Sequence, residues 1–321
     1  MKQFGRIAVL GATGLVGRHL VETLLARGAT DIVATYRARP AYEAKGLEWR
    51  HADLMLPQSA RAALRGVNVV LQCAGKLSTA AELRRDPVGS VTDTLRIGVN
   101  VLEAAAAENV DRLVMLSSCT GYPEARGIKE EAGMFAGDPP AAWFGVGWMH
   151  RYLEKQLEWY CRHLGRIGAA TALRPTLIYG PHDDFKPESA HFVPSFIHRV
   201  VAREKPIEVW GDGNQTRNLI HAADVASAVI ATLAQDKGYA AYNVATPRSV
   251  SMNEVLTTLL EVDGFTDAKV VHLLEKAGGA SALEVSSAAF AARFGWVPSM
   301  SLRAGLADTI DWYRRTSTLA R

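Results

Sequence analysis

The stretch Ile7-Ala8-Val9-Leu10-Gly11-Ala12-Thr13-Gly14-Leu15-Val16-Gly17 decides the fold. A short β-rich apolar run enters a Gly-x-x-Gly-x-x-Gly turn, and Arg18 to Leu25 continue with helical patterning. Strand, glycine turn and helix in that order open a dinucleotide-binding βαβ unit. The first glycine permits the tight turn, the second lets backbone approach a pyrophosphate, and the third lets helix and strand pack closely. The helix start then presents N–H groups and a positive dipole end to phosphate. Gly11, Thr13, Gly14, Leu15, Val16 and Gly17 are therefore candidate cofactor-binding residues. A tight turn without a ligand is the competing reading.

Outward from that turn, apolar runs recur at Asp31–Tyr36, Val67–Gln72 and Arg112–Ser117, separated by helical stretches such as Val101–Asn109. Strands alternating with helices imply right-handed crossovers and a parallel sheet. The runs are continuously apolar, as strands covered on both faces should be. The predicted fold is α/β, a doubly wound parallel Rossmann sheet with a smaller C-terminal substrate-binding lobe. Proline, glycine and aromatic residues become denser from Pro175 to Asp212, where the lobe should begin. Ala222–Leu233 reads as a helix, Tyr242-Asn243-Val244 as a strand and Leu302–Arg314 as an amphipathic helix. The expected division is 1–175 for the NAD(P)-binding domain, with 215–245 returning to it, and 176–214 with 246–321 for the lobe.

The second run ends in Tyr36-Arg37-Ala38-Arg39. Arginine there suits a ribose 2′-phosphate and favours NADP, with NAD as the alternative. Arg37 and Arg39 could equally be solvated surface charges. Asp53, followed by Leu54, either meets the adenine or caps a helix. Ala74 and Gly75, just past the third strand run, complete the expected cofactor set.

Composition narrows the field further. The chain has 321 residues, 48% of them hydrophobic and 21% charged, with a net charge of +3. That balance gives no reason to expect a nucleic-acid or membrane-surface partner. Cys73, Cys119 and Cys161 are widely spaced, with no Cys-x-x-Cys, so neither a metal site nor a disulfide framework is indicated. No signal peptide or apolar span is evident, and a cytoplasmic location is the expectation.

The glycine loop, Asp53-Leu54, Ser117-Ser118, Arg174-Pro175 with Tyr179-Gly180-Pro181, and Gly211-Asp212-Gly213 with Arg217 occur in an order that resembles the extended short-chain dehydrogenases, the NAD-dependent epimerase/dehydratase family. The resemblance spans essentially the whole chain. Within that family, Tyr36–Arg39, Ser117-Ser118-Cys119 and Tyr179–Pro187 through His191 and Pro194 look most like the GDP-fucose synthase subfamily. The resemblance implies a nucleotide-sugar substrate. It makes Cys119 and His191 the acid and base for epimerisation beside a ketone. It places Arg199 and Arg217 on the nucleotide diphosphate and Tyr179 and His182 in the substrate loop. A homodimer through a four-helix bundle is also implied.

One family feature is missing. A tyrosine and a lysine four residues apart normally share a helix face, and the tyrosine hydroxyl exchanges a proton with the substrate oxygen during hydride transfer. None of the nine tyrosines has a lysine four residues later. The corresponding segment is Trp143-Phe144-Gly145-Val146-Gly147-Trp148-Met149-His150-Arg151-Tyr152. It can be registered with Val146 and His150, with Trp148 and Tyr152, or with Phe144 at the tyrosine position. Ser117 or Ser118 could bond a substrate carbonyl or merely satisfy backbone. Cys119 could be an acid/base thiol or an inert buried one. Tyr152, His150 and Tyr179 are the candidates to replace the missing acid.

The leading expectation is an NADP-binding enzyme that reduces, oxidises or epimerises a nucleotide-activated sugar at a non-standard site. A catalytically reduced cofactor-binding sensor or scaffold, and an oxidoreductase for a non-sugar carbonyl compound, are the alternatives.

Overall fold

The computed structural model describes residues 2–40, 42–76, 83, 85–124, 127–186, 189–276 and 283–317. Pro187 of the substrate loop lies outside them. Seven strands form one sheet: β1 (Ile7–Leu10), β2 (Ile32–Tyr36), β3 (Leu47–His51), β4 (Val69–Gln72), β5 (Arg112–Leu116), β6 (Ala169–Pro175) and β11 (Gly238–Val244). Their spatial order is β11-β6-β5-β4-β1-β2-β3, and every pairing is parallel. The order runs outward in both directions from β1 and β4, which is the doubly wound arrangement. β1 and β4 are wholly buried, as their unbroken apolar runs require.

Helices cover both faces. On one face α2 (Pro57–Leu64), α3 (Gly89–Ala107) and α4 (Phe144–Glu158) pack through Leu64, Leu102, Leu153 and Leu157. On the other, α1 (Leu15–Ala26) and α6 (Ala222–Ala231) pack through Leu20, Leu24, Val225 and Val229, joined by Phe290 of α8 (Ala288–Phe294) and by Trp296. A separate core holds the remaining elements: α5 (Phe192–Val201), α7 (Met252–Asp263), α9 (Leu302–Thr316) and the strand β8 (Ile207–Trp210), with Phe196, Ile197, Leu259, Leu306 and Ile310 inside. β8 pairs in parallel with β13 (Val270–Leu273). Short ladders β7 (Leu177–Tyr179) with β10 (Leu219–His221), and β9 (Thr216–Arg217) with β12 (Val250–Ser251), join this core to the sheet.

Local chemistry sets the helix ends. Ser251 and Ser301 accept hydrogen bonds from the backbone N–H three residues on, capping α7 and α9. Gly264 closes α7 at φ 70°, a conformation that costs a residue with Cβ much more. Pro57 begins α2, where its missing N–H has no intrahelical partner to lose.

Candidate functional site

The glycine loop joins β1 to α1 at the C-terminal edge of the sheet. Gly11 has φ 76°, and a Cβ there would lie 2.8 Å from the Ala74 Cα. A Cβ on Gly17 would lie 2.1 Å from the Gly11 carbonyl oxygen, so this glycine lets α1 meet the turn. Gly14 differs. A Cβ there would meet only the Gly11 oxygen, at 3.4 Å, and its other side is open. Thr13 and Gly14 are exposed, and no side chain caps α1. The helix therefore directs uncapped backbone donors into open space, which fits a dinucleotide pyrophosphate. The Gly11 N–H donates to Thr35 Oγ1 at 3.0 Å and fixes the end of β2 beside the loop.

Arg37 and Arg39 follow β2 directly. Both are exposed, and neither is within ion-pairing distance of a carboxylate among the described residues. Asp53 serves its own loop: its carboxylate accepts from the Met55 N–H, and Leu54 is buried beneath it. Ala74 and Gly75 lie past β4, with Ala74 against the glycine turn.

The Ser117-Ser118-Cys119 segment follows β5. Ser117 is buried and its hydroxyl donates to Glu154 on α4 at 2.5 Å. Glu154 is wholly buried and makes a two-pronged ion pair with Arg174 of β6, at 3.0 and 2.7 Å. Arg174 also donates to the Tyr122 hydroxyl, which donates to Asn243 Oδ1 of β11 at 2.7 Å. The Cys119 thiol is buried and points at the Arg174 carbonyl oxygen, 3.0 Å away. Burial raises its pKa, so it remains a thiol at neutral pH. Ser118 is the half-exposed member, accepting from the Thr120 N–H and hydroxyl.

On α4, Val146 is buried and His150 half-buried, whereas Phe144, Trp148 and Tyr152 are exposed on the outward side. Only the register that pairs Val146 with His150 therefore faces the protein. Burial lowers the His150 pKa to about 4, so it is a neutral imidazole at neutral pH. The Tyr152 hydroxyl accepts from Gln156 at the surface and lies apart from the Ser117–Arg174 network.

In the second core, Tyr179 is sealed in, with its ring 5.3 Å from the His221 ring. His182 packs between His19 of α1, at 5.8 Å, and Trp312 of α9, at 4.9 Å. These two aromatic residues join elements together. His191 stands at the N-terminus of α5, and burial lowers its pKa. Arg199 Nη1 donates to the Glu208 carbonyl at 3.0 Å. Arg217 is half-buried, and among the described residues its side chain bonds only its neighbour's carbonyl, that of Thr216, at 2.7 Å. No carboxylate among the described residues neutralises it, and burial lowers its pKa.

Sequence reading did not find Glu154, Tyr122 or Asn243, whose roles depend on partners from 20 to 121 residues away. Arg174 stood out only as part of Arg174-Pro175. Among the described residues no cluster of His, Cys, Asp or Glu could hold a metal, and no helix is long and apolar enough to cross a membrane.

Comparisons with known proteins agree with this geometry. Over 315 residues the chain is 29% identical to GDP-L-fucose synthase 1 of Arabidopsis thaliana, covering 96% of this chain and 93% of that one. It is 28% identical to a dTDP-4-dehydro-6-deoxy-D-allose reductase of Streptomyces, covering 96% of each. The solved UDP-glucose 4-epimerase of Thermus thermophilus, in complex with NAD, superimposes with a TM-score of 0.80 at 25% identity, covering 97% of this chain and 100% of that one. The family model for the NAD dependent epimerase/dehydratase family matches residues 7–245. With a doubly wound sheet, an open glycine cradle and a match across most of its length, the chain belongs to the NAD dependent epimerase/dehydratase family.

Proposed function

We propose that this protein is an NADP-dependent enzyme that modifies a nucleotide-activated sugar, at a site whose proton chemistry does not run through a Tyr–Lys pair. The observation that carries the reading is Arg217, a desolvated cation with no carboxylate partner among the described residues. Burying a cation without compensation is costly, and a diphosphate supplies the missing charge. The names of the relatives, GDP-L-fucose synthase and dTDP-4-dehydro-6-deoxy-D-allose reductase, point to the same substrate class. Arg37 and Arg39, with no acidic residue from Tyr36 to Pro40, favour NADP over NAD.

The titratable groups suggest a division of labour. His191 is held neutral and suits proton abstraction beside a ketone, whereas the buried Cys119 thiol is a weak acid that serves as proton donor only if bound substrate brings its pKa down. Ser118 is the hydroxyl left to bond the substrate carbonyl. Bound cofactor would supply or accept hydride. The neutral His150 cannot depress a neighbouring hydroxyl's pKa as an ammonium does, so reduction requires a different proton donor. We also assign the exposed face of α4, with Phe144, Trp148, Tyr152 and nearby Trp159, to a homodimer contact, because a patch of that kind is uncommon on a monomer.

The test is NMR of the protein incubated in heavy water with NADPH and a 4-keto-6-deoxy nucleotide sugar. Deuterium entering beside the ketone, lost in Cys119→Ala and His191→Ala, is the expected result. Hydride arriving at the ketone carbon would show that another group donates the proton. Neither signal, with NADPH still bound, would overturn the enzyme assignment in favour of a cofactor-binding sensor. Burial of Cys119 and the engagement of Ser117 by Glu154 are the observations on that side.

A further inference from the structure

We infer that Tyr42 and Arg18 form a clamp that selects a phosphate on the adenosine ribose, with Arg18 as the phosphate ligand and Tyr42 as its positioning residue. The inference rests on the NADP reading above and assigns it to residues outside the Tyr36–Arg39 turn.

Arg18 lies in the first turn of α1, immediately after the third glycine. Its guanidinium carbon is stacked 3.6 Å above the centroid of the Tyr42 ring. Its Nε donates to Glu22 Oε1 at 2.6 Å. Ring and carboxylate together fix the plane and rotation of the guanidinium. Its two terminal amino groups make no hydrogen bond to a described residue, and the side chain keeps 18% of its exposure. A guanidinium fixed by its face and its Nε, with its outer edge unspent, is arranged for two-pronged binding of a phosphate.

Tyr42 belongs to the connection between β2 and β3. That connection is folded back by the Trp49 indole N–H, which donates to the Tyr42 carbonyl at 2.5 Å. The Trp49 ring meets both Tyr42 and Tyr36 edge-on, each at 6.1 Å. Tyr36 is the last residue of β2, and Arg37 and Arg39 follow it. Since Thr35 is bonded to Gly11, the end of β2 lies beside the glycine loop. The Arg18–Tyr42 stack thus docks the arginine-bearing connection onto the first turn of the phosphate-binding helix. Glu22 engages only the Arg18 Nε and leaves the two terminal amino groups for a phosphate. The ligand this arrangement fits is a dianionic phosphate monoester on ribose, where NAD carries only a hydroxyl.

The test measures binding and does not depend on turnover: dissociation constants for NADPH and NADH by titration calorimetry, in the parent protein and in Tyr42→Phe, Tyr42→Leu and Arg18→Met. The parent should prefer NADPH by about tenfold or more, the scale of one well-placed charge-assisted contact. Tyr42→Phe should keep that ratio, since the aromatic face remains. Tyr42→Leu and Arg18→Met should lower the ratio about tenfold while leaving NADH affinity within about twofold, which also shows that the variants are folded. A parent that prefers NADPH with variants that keep its ratio would overturn the clamp and leave the NADP reading standing. A parent without preference would overturn both.

Discussion

At the start of α1, Thr13 and Gly14 are exposed, no side chain caps the helix, and the Arg37 and Arg39 guanidiniums follow without carboxylate partners among the described residues. Along α4 the polar groups are used differently. Glu154 takes Ser117 and Arg174, and Arg151 donates to the Gly121 and Gly137 carbonyls. One helix keeps its donors for something absent from the chain; the other spends them on the chain itself. The α4 groups are buried and would be costly to leave unmatched, so their complete pairing marks a structural role, whereas the α1 donors face open space and stay available to a ligand.

The largest effect should come from breaking the completed side. Glu154→Ala leaves Arg174 buried without its counter-charge and should cost about 3–5 kcal/mol, read as a lower midpoint in urea denaturation. A loss under about 1 kcal/mol would mean that water or rearrangement compensates the arginine, and the contrast with α1 would weaken. Gly14→Ala probes the other side. At φ −87° and ψ 175° the backbone accepts alanine, and the Gly11 oxygen at 3.4 Å is an ordinary contact. Stability should stay nearly unchanged while NADPH binding weakens about tenfold, because only a bound pyrophosphate would meet the added methyl. Equal loss of stability and binding would make Gly14 structural. The smallest effect belongs to Tyr152→Phe. Among the described residues its hydroxyl bonds only Gln156 at the surface, so stability should change by no more than about 0.5 kcal/mol and turnover should be retained. A large loss of turnover would return Tyr152 to the active site.

The same contrast explains what could be read from the amino acids alone. The glycine turn was legible because each glycine answers a local demand: the φ of Gly11, the close approach at Gly17, the open side of Gly14. The runs ending at Tyr36, Gln72 and Ser117 became β2, β4 and β5 within a residue or two, because a strand buried on both faces must be apolar throughout. β3 was not recognised. Its Leu47-Glu48-Trp49-Arg50-His51 is a partly exposed edge strand, and its charged residues mask the pattern. The Glu154–Arg174 pair was invisible because its members are brought together by the packing of α4 on β6. Tyr179 and His182 stood out through a resemblance that puts them in a substrate loop, and only the fold adds that His182 packs between α1 and α9 and that the Tyr179 ring is buried against His221 and α9.

The seal over Tyr179 has a consequence for how the chain acquires its shape. A methyl on Gly305 would come 2.3 Å from the Tyr179 hydroxyl, and Leu306, Ile310 and Tyr313 complete the core in which that ring is buried. During synthesis the ring and the strand that carries it emerge well over a hundred residues before the helix that covers them. The Rossmann sheet has β1 through β6 available early, but the second core cannot close until the final helix has left the ribosome. Until then the nascent protein holds an unfinished apolar surface next to Arg217, and a premature stop within α9 would yield a chain with a glycine loop and an open second core.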